Sequence, residues 1–269
     1  MFYSFIIKIR TPEDIFLPPY TGHFIYALFL DIVNKANPNL AKQLYEPNEV
    51  KPFTVSPLIG RFKSHNDSVM LSKEDDFYIR ITIMDSSLFS PVISVLLDSS
   101  FRNVVIGGHR FDVLKIIVTP QEHRYASFET LDTLWNHASS ESRIISLDFL
   151  TPTTFKSGDS NSFLPLPEKV FKSIEKKFLI FAHGFMKKDV KDEDMFAKGI
   201  RIVRFDNLST NVIELKQGKQ IGFTGRVYYQ IKAKDRPIIK YINALAGFAK
   251  YSGVGAKTTL GLGQVIRNR

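Results

Sequence analysis

Two groups of residues in this chain have types and spacings that suit chemistry. The first is Ser252-Gly-Val-Gly-Ala-Lys-Thr-Thr-Leu-Gly-Leu-Gly-Gln-Val265, which holds four of the fifteen glycines, Gly253, Gly255, Gly261 and Gly263. Paired glycines remove side chains, so backbone N–H groups can turn outward and a phosphate chain can approach closely. Lys257 and the two threonines after it complete a loop that suits an anion. It is not a Walker loop, which needs Gly-Lys-Ser/Thr after four spacers, nor a dinucleotide fingerprint, which follows a first strand and opens a helix. A tight glycine turn with no ligand is the alternative. The second group is His23, with Tyr26 three residues later and Leu30 seven later, a spacing that places all three on one helical face. Histidine is the side chain whose ordinary pKa lies nearest neutrality, so His23 is a candidate for proton transfer. A helix histidine packed against a sheet is the competing reading. His109, after Gly107-Gly108, reads as a turn or strand residue, and His65, His123, His137 and His183 have no partner at useful spacing.

Charge points to the class of partner. The 269 residues carry a net +9, yet residues 201–269 hold 13 basic and 3 acidic side chains, so the first 200 residues are at −1. A basic last quarter suits an acidic partner such as nucleic acid, with Arg204, Arg226 and Lys234 as expected phosphate contacts. The absence of cysteine excludes a disulfide framework, thiolate catalysis and a cysteine-bound zinc or iron–sulfur site. No His/Asp/Glu set has metal-ligand spacing, and neither a metal nor a cofactor is expected. The apolar opening at residues 1–7 has no basic residue before it, and no run approaches the roughly 18 apolar residues of a spanning helix. A soluble, cytoplasmic protein is the expectation.

The elements that must position these residues follow from periodicity. Residues 3–10 form a short apolar run that stops at Thr11-Pro12, a strand. Thr21 is placed to cap a helix running to about Lys35, and Asn37-Pro38 to start a second one ending near Tyr45. Residues 52–62 and 76–84 read as a strand pair separated by a turn at 63–67, residues 87–97 as a helix, and residues 104–118, with Gly107-Gly108 in the middle, as a hairpin. In the second half, residues 127–149 contain one or two strands and 166–181 a helix. Residues 201–205 and 212–215 are short strands, and residues 220–231 alternate with the period of a half-buried strand. Residues 236–251 form a helix and 263–267 a last strand. Each half approximates βαββαβ, so the expected fold is α+β: two tandem ferredoxin-like, RRM-like modules with antiparallel sheets, at 1–122 and 123–269.

With these motifs in place, the chain resembles the CRISPR-associated endoribonucleases of the repeat-associated mysterious protein superfamily, which cut repeat RNA. Gly253-x-Gly255-x5-Gly261-x-Gly263 is similar to their glycine-rich signature, after the last helix of the second module. Gly222-Phe223-Thr224-Gly225-Arg226 resembles the strand before that helix, and Leu150-Thr151-Pro152-Thr153-Thr154-Phe155 the segment that opens the second domain. In the first module, Asn37-Pro38-Asn39-Leu40 and Lys51-Pro52-Phe53-Thr54-Val55-Ser56-Pro57-Leu58 resemble the helix-to-strand region that carries catalytic residues.

The resemblance implies binding of CRISPR repeat RNA through a basic surface and metal-independent cleavage by 2′-OH attack, leaving a 2′,3′-cyclic phosphate and a 5′-OH. Anchored on Asn37-Pro38, the family histidine falls at Tyr45, the family tyrosine at Leu30, and the family lysine at Lys51. A tyrosine is a poor base near neutral pH, so His23 is the substitute acid or base, Lys51 the cation for the phosphorane, and Tyr45 and Tyr26 the groups that orient ribose or donate a proton. Slow cleavage is expected with Tyr45 in the histidine's place. RNA contacts are expected from Gly253, Gly255, Lys257, Gly261 and Gly263. The alternatives are a repeat-RNA-binding protein that does not cut, or a structural subunit of a CRISPR effector complex. The latter role favours a long protruding hairpin, for which the sequence offers no clear candidate. Expected partners are therefore repeat RNA and effector-complex subunits, not a membrane, with the chain a monomer or homodimer.

Overall fold

A computed structural model describes residues 1–46, 49–158, 160–182, 195–215 and 218–268; His183 lies outside the described residues. Contacts divide the chain into two units, Met1–Phe128 with Thr259–Gly261, and Glu129–Thr258 with Leu262–Arg269.

Unit one begins with β1 (Phe2–Arg10), β2 (Ile15–Leu17), α1 (Gly22–Ala36) and α2 (Pro38–Tyr45). It continues with β3 (Phe53–Val55), β4 (Lys63–His65), β5 (Ser68–Leu71), β6 (Phe77–Ile83) and α3 (Ser86–Leu96), then β7 (Asn103–Ile106) and β8 (His109–Ile117). The main sheet is antiparallel, in the order β3-β6-β1-β8-β7. With β7 set aside, that is the order in which a ferredoxin-like βαββαβ unit interleaves its strands. Phe5, Ile7 and Ile9 of β1 enter the core at alternate positions, where Ile25, Phe29, Ile32 and Val33 of α1 meet them at helical spacing.

The start of α2 is the expected one: the Asn37 side chain accepts from the N–H groups of Asn39 and Leu40, and Pro38 occupies the first turn. Thr21 departs from expectation. It precedes α1, but its Oγ1 accepts from the Leu58 N–H at 2.8 Å instead of capping the helix. The strand pair also holds, with Phe53 opposite Ile83, whereas the segment read as a turn carries β4, which joins β5 and β2 in a separate three-stranded sheet. The strand β9 (Ser127–Glu129) pairs with β1, and the units divide at Phe128/Glu129, where the sequence reading set the junction at 122/123.

Unit two holds α4 (Leu131–His137), β10 (Ile144–Thr153), β11 (Phe155–Ser157), β12 (Ser160–Ser162) and α5 (Pro167–Phe181). After these come α6 (Met195–Gly199), β13 (Ile200–Leu215), β14 (Gly218–Ile231), α7 (Arg236–Ser252) and β15 (Val265–Asn268). Its sheet, ordered β13-β14-β10-β15, repeats the interleaving of unit one. Two elements correct the sequence reading. The short helix α4 was not expected; it starts on a reciprocal capping box of Thr130 and Thr133, without the usual Glu or Gln at the third position. Residues 201–205 and 212–215 are not two short strands but parts of one strand, β13, paired with β14 from Ile200↔Ile231 to Leu215↔Gly218. A long hairpin is therefore present where none was expected. Most of β13 is solvent-exposed, so backbone pairing at a sheet edge, not an apolar alternation, defines it. Among the described residues no helix is long and apolar enough to cross a membrane.

Candidate functional site

The first module's candidates gather at one end of α1 and α2. His23 is half-buried in the first turn of α1, its ring centroid 3.9 Å from that of Phe24. Tyr26 follows one turn later, about 4.5 Å along the axis, and its ring stacks at 6.2 Å on Phe53. Burial raises the Tyr26 pKa, and the neighbouring Tyr45 phenol raises it further, so Tyr26 is held as a neutral hydroxyl donor. Tyr45, at the end of α2, is 65% exposed. The Lys51 ammonium donates to the carbonyl of Glu46, the residue after Tyr45. Tyr26 and Tyr45 are thus neighbours, Lys51 is tied to the residue after Tyr45, and His23 lies one helical turn from Tyr26. Leu30 is fully buried and belongs to the core, so the family tyrosine's position carries a packing residue here.

The start of α1 also meets the tip of the glycine-rich segment. A Cβ on Gly22 would lie 1.9 Å from the Leu260 carbonyl oxygen, a separation no side chain permits. That carbonyl accepts a 2.9 Å hydrogen bond from the Tyr20 hydroxyl, whose burial raises its pKa. Gly261 lies against Pro57 and the Tyr20 hydroxyl. The residue beside His23 is therefore a glycine because the backbone of residues 259–261 passes directly over it.

The rest of the glycine-rich segment is a folded part of unit two. The Val254 N–H donates to Gly263 O, the Gly255 N–H to Ser173 Oγ, the Ala256 N–H to Thr154 O, and the Gly263 N–H to Pro152 O. The Gly253 N–H closes α7 on Ala249 O, and Lys257 has a positive φ and gives its carbonyl to the Leu262 N–H. These donors are engaged within the protein and do not point outward as the sequence suggested. Gly255 is needed for its φ of +82° and because a Cβ there would sit 2.3 Å from Thr154 O. The segment 150–155 is its cradle, since Thr151 Oγ1 also accepts from the Gln264 N–H. Gly222 in turn leaves room for the Thr153 backbone. Three motifs separated in sequence thus pack as one body.

Beneath this loop lies a residue the sequence reading passed over. Lys177 of α5 is 9% exposed; its Nζ donates to the Ser252 carbonyl at the end of α7 at 2.5 Å and to Thr258 Oγ1 at 3.0 Å. Burial lowers its pKa to about 7, and Lys176 adds to the shift. A signal was present: Val170, Phe171, Ile174 and Phe178 form the buried stripe of α5, and position 177 falls inside it.

The basic candidates are divided. Arg204 and Arg226 lie on adjacent strands, but Arg204 Nε is 2.7 Å from Asp206, and Arg226 is 3.0 Å from Asp148. Hydrogen bonding to Asp148 raises the Arg226 pKa. Lys234 is exposed in the loop between β14 and α7. Of the other histidines, His109 opens β8, as a turn or strand residue would. His137 has a partner after all, Glu129, eight residues before it. Burial lowers the pKa of His123, as do Arg124 and Arg80. Among the described residues no group of three His, Cys, Asp or Glu side chains is placed to hold a metal ion.

Two stretches of the chain match known protein domains. Residues 1–136 match the CRISPR Cas6 N-terminal domain, and residues 147–265 the CRISPR-associated endoribonuclease Cas6. The chain belongs to the Cas6 family. A Cas6 endoribonuclease of Mycobacterium tuberculosis is 30% identical over 132 residues, 48% of this chain and 40% of that protein. One from Streptococcus thermophilus is 24% identical over 154 residues, 57% of this chain and 62% of the relative. The matches thus span less than two thirds of either relative. The fold is that of solved Cas6 structures: a Cas6 product complex has a TM-score of 0.82 at 23% identity with all of both chains covered. The Cas6 of Thermus thermophilus has a TM-score of 0.74 at 22% identity, covering all of this chain and 98% of the other.

Proposed function

We propose that this Cas6 family member is an endoribonuclease that binds precursor CRISPR repeat RNA and cleaves it without a metal. The ribose 2′-oxygen beside the scissile bond attacks phosphorus, the bond to the 5′-oxygen breaks, and the ends are a 2′,3′-cyclic phosphate and a 5′-OH. That reaction requires a base for the 2′-OH, an acid for the departing oxygen and a cation for the phosphorane. His23 serves as acid or base, Lys51 as the cation, and Tyr26 and Tyr45 orient the ribose or donate a proton. RNA is held by the glycine-rich segment, by Lys257, and by Arg204, Arg226 and Lys234. The observation that supports this reading is the backbone of Leu260, in the stretch that resembles the family's glycine-rich signature, lying over Gly22, the residue before His23.

The test is incubation of the pure protein with labelled repeat RNA in excess chelator, with and without a single 2′-deoxy at the cut site. Cleavage of the all-ribose RNA alone is expected. Cutting of the deoxy substrate rejects the mechanism, and tight binding without any cutting favours a repeat-RNA-binding protein.

A further inference from the structure

Unit two contains a cavity of about 520 Å3 between α4, α7 and the end of β15, within the range of small-molecule sites. Lys250, Arg267 and His137 line it, against one carboxylate, Glu129. Glu129 anchors two of the cations, His137 Nδ1 at 3.2 Å and Lys250 Nζ at 3.3 Å, and accepts from the Tyr251 hydroxyl at 3.2 Å. The Arg267 guanidinium is fixed by the Asn243 carbonyl at 2.8 Å and its side-chain oxygen at 2.5 Å. The rim therefore carries an excess of one positive charge, or two with His137 protonated, on side chains held in place before any ligand arrives.

Leu134 and Ile144 supply apolar wall.

We propose that this cavity is a nucleoside monophosphate site. Its cationic rim takes the phosphomonoester, which carries between one and two negative charges near neutrality, and the base lies against the apolar wall of Leu134 and Ile144. The occupant is a free mononucleotide or the 5′-phosphorylated end of an RNA. This site is separate from the cleavage residues, and its test does not depend on cleavage.

Trp135, the only tryptophan, lies on α4 beside the lining residues Leu134 and His137 and provides a local fluorescence signal. The full chain is titrated with inorganic phosphate, AMP, and a trinucleotide with or without a 5′-phosphate. AMP is expected to bind about tenfold or more tightly than phosphate, and Lys250→Gln to weaken AMP by about tenfold at an unchanged melting temperature. Amide shifts of Gly247 and Asn268 in the wild type report the same site without any variant. A trinucleotide that binds only when phosphorylated assigns the site to RNA ends, and AMP binding alone assigns it to mononucleotides; both support the proposal. No AMP binding at millimolar concentration, AMP no tighter than phosphate, or shifts confined to residues away from the cavity overturns it.

Discussion

The hydroxyl of Tyr20 donates to the carbonyl of Leu260, a residue 240 positions later in the chain. This bond and the missing side chain of Gly22 hold the tip of the glycine-rich segment at the start of α1. Tyr20→Phe leaves the carbonyl without its donor, at a cost of about 1–2 kcal/mol. Thermal denaturation should show a loss of about 2–8 °C. An unchanged transition would mean that the tip is held by packing alone.

Gly255→Val should destabilise the protein as well as weaken RNA binding. The sequence alone suggests a loss of affinity in excess of stability, but the contact with Thr154 O and the positive φ place the first cost in folding. Melting temperature and RNA affinity measured on the same preparation decide between them; a full-affinity, full-stability variant contradicts both.

His23→Ala should slow single-turnover cleavage about 10²-fold or more with RNA affinity nearly unchanged, since general acid–base catalysis contributes about 10²–10⁴. Lys51→Ala should lose about 10²–10³, by analogy with a lost oxyanion donor. Full activity in His23→Ala with a dead Lys51→Ala would mean that positioning and a cation carry the rate without histidine proton transfer.

Lys177 gives a pH dependence of unusual sign. Its pKa is about 7 in the folded chain and ordinary, near 10.5, when unfolded. Between those values the unfolded state binds more protons, so this residue's contribution to stability rises with pH and is lost as pH falls toward 7. Melting temperatures from pH 7 to 9.5 should therefore climb more steeply in the wild type than in Lys177→Met. Parallel profiles would show that the amine does not titrate in this window.

Replacing Arg204, Arg226 and Lys234 together should weaken RNA binding and flatten its salt dependence by about one slope unit for each cation that meets a phosphate. Because Asp206 and Asp148 already hold the two arginines, Lys234→Ala is expected to account for the largest single share. Equal affinity and slope in the triple variant would place the RNA elsewhere.

The fold was largely legible because both units carry strong periodic signals. The apolar run at residues 3–10, Asn37-Pro38 and the alternation along residues 220–231 each became the expected element. What escaped was structure whose cause is not periodic. In β13, pairing with a neighbour defines a mostly exposed strand, and α4 rests on a threonine capping box in a short polar segment. Within the candidate site, the matched motif spacing pointed to Tyr45, Lys51 and Leu30, and Leu30 lies in the core. The carboxylates beside Arg204 and Arg226 and the amine of Lys177 beneath the loop depend on register and on packing between distant segments, which single-residue reasoning does not reach.

The assignment of Thr259–Gly261 to the first unit has a consequence for biosynthesis. Residues 1–128 leave the ribosome about 130 residues ahead of the piece that covers Gly22. At about 5–20 residues per second, the nascent first unit waits roughly 7–26 s with that niche open. A nascent chain stalled before residue 259 should therefore expose Tyr20 and Gly22 to solvent, and the surroundings of the candidate residue His23 would be completed only when the late segment docks.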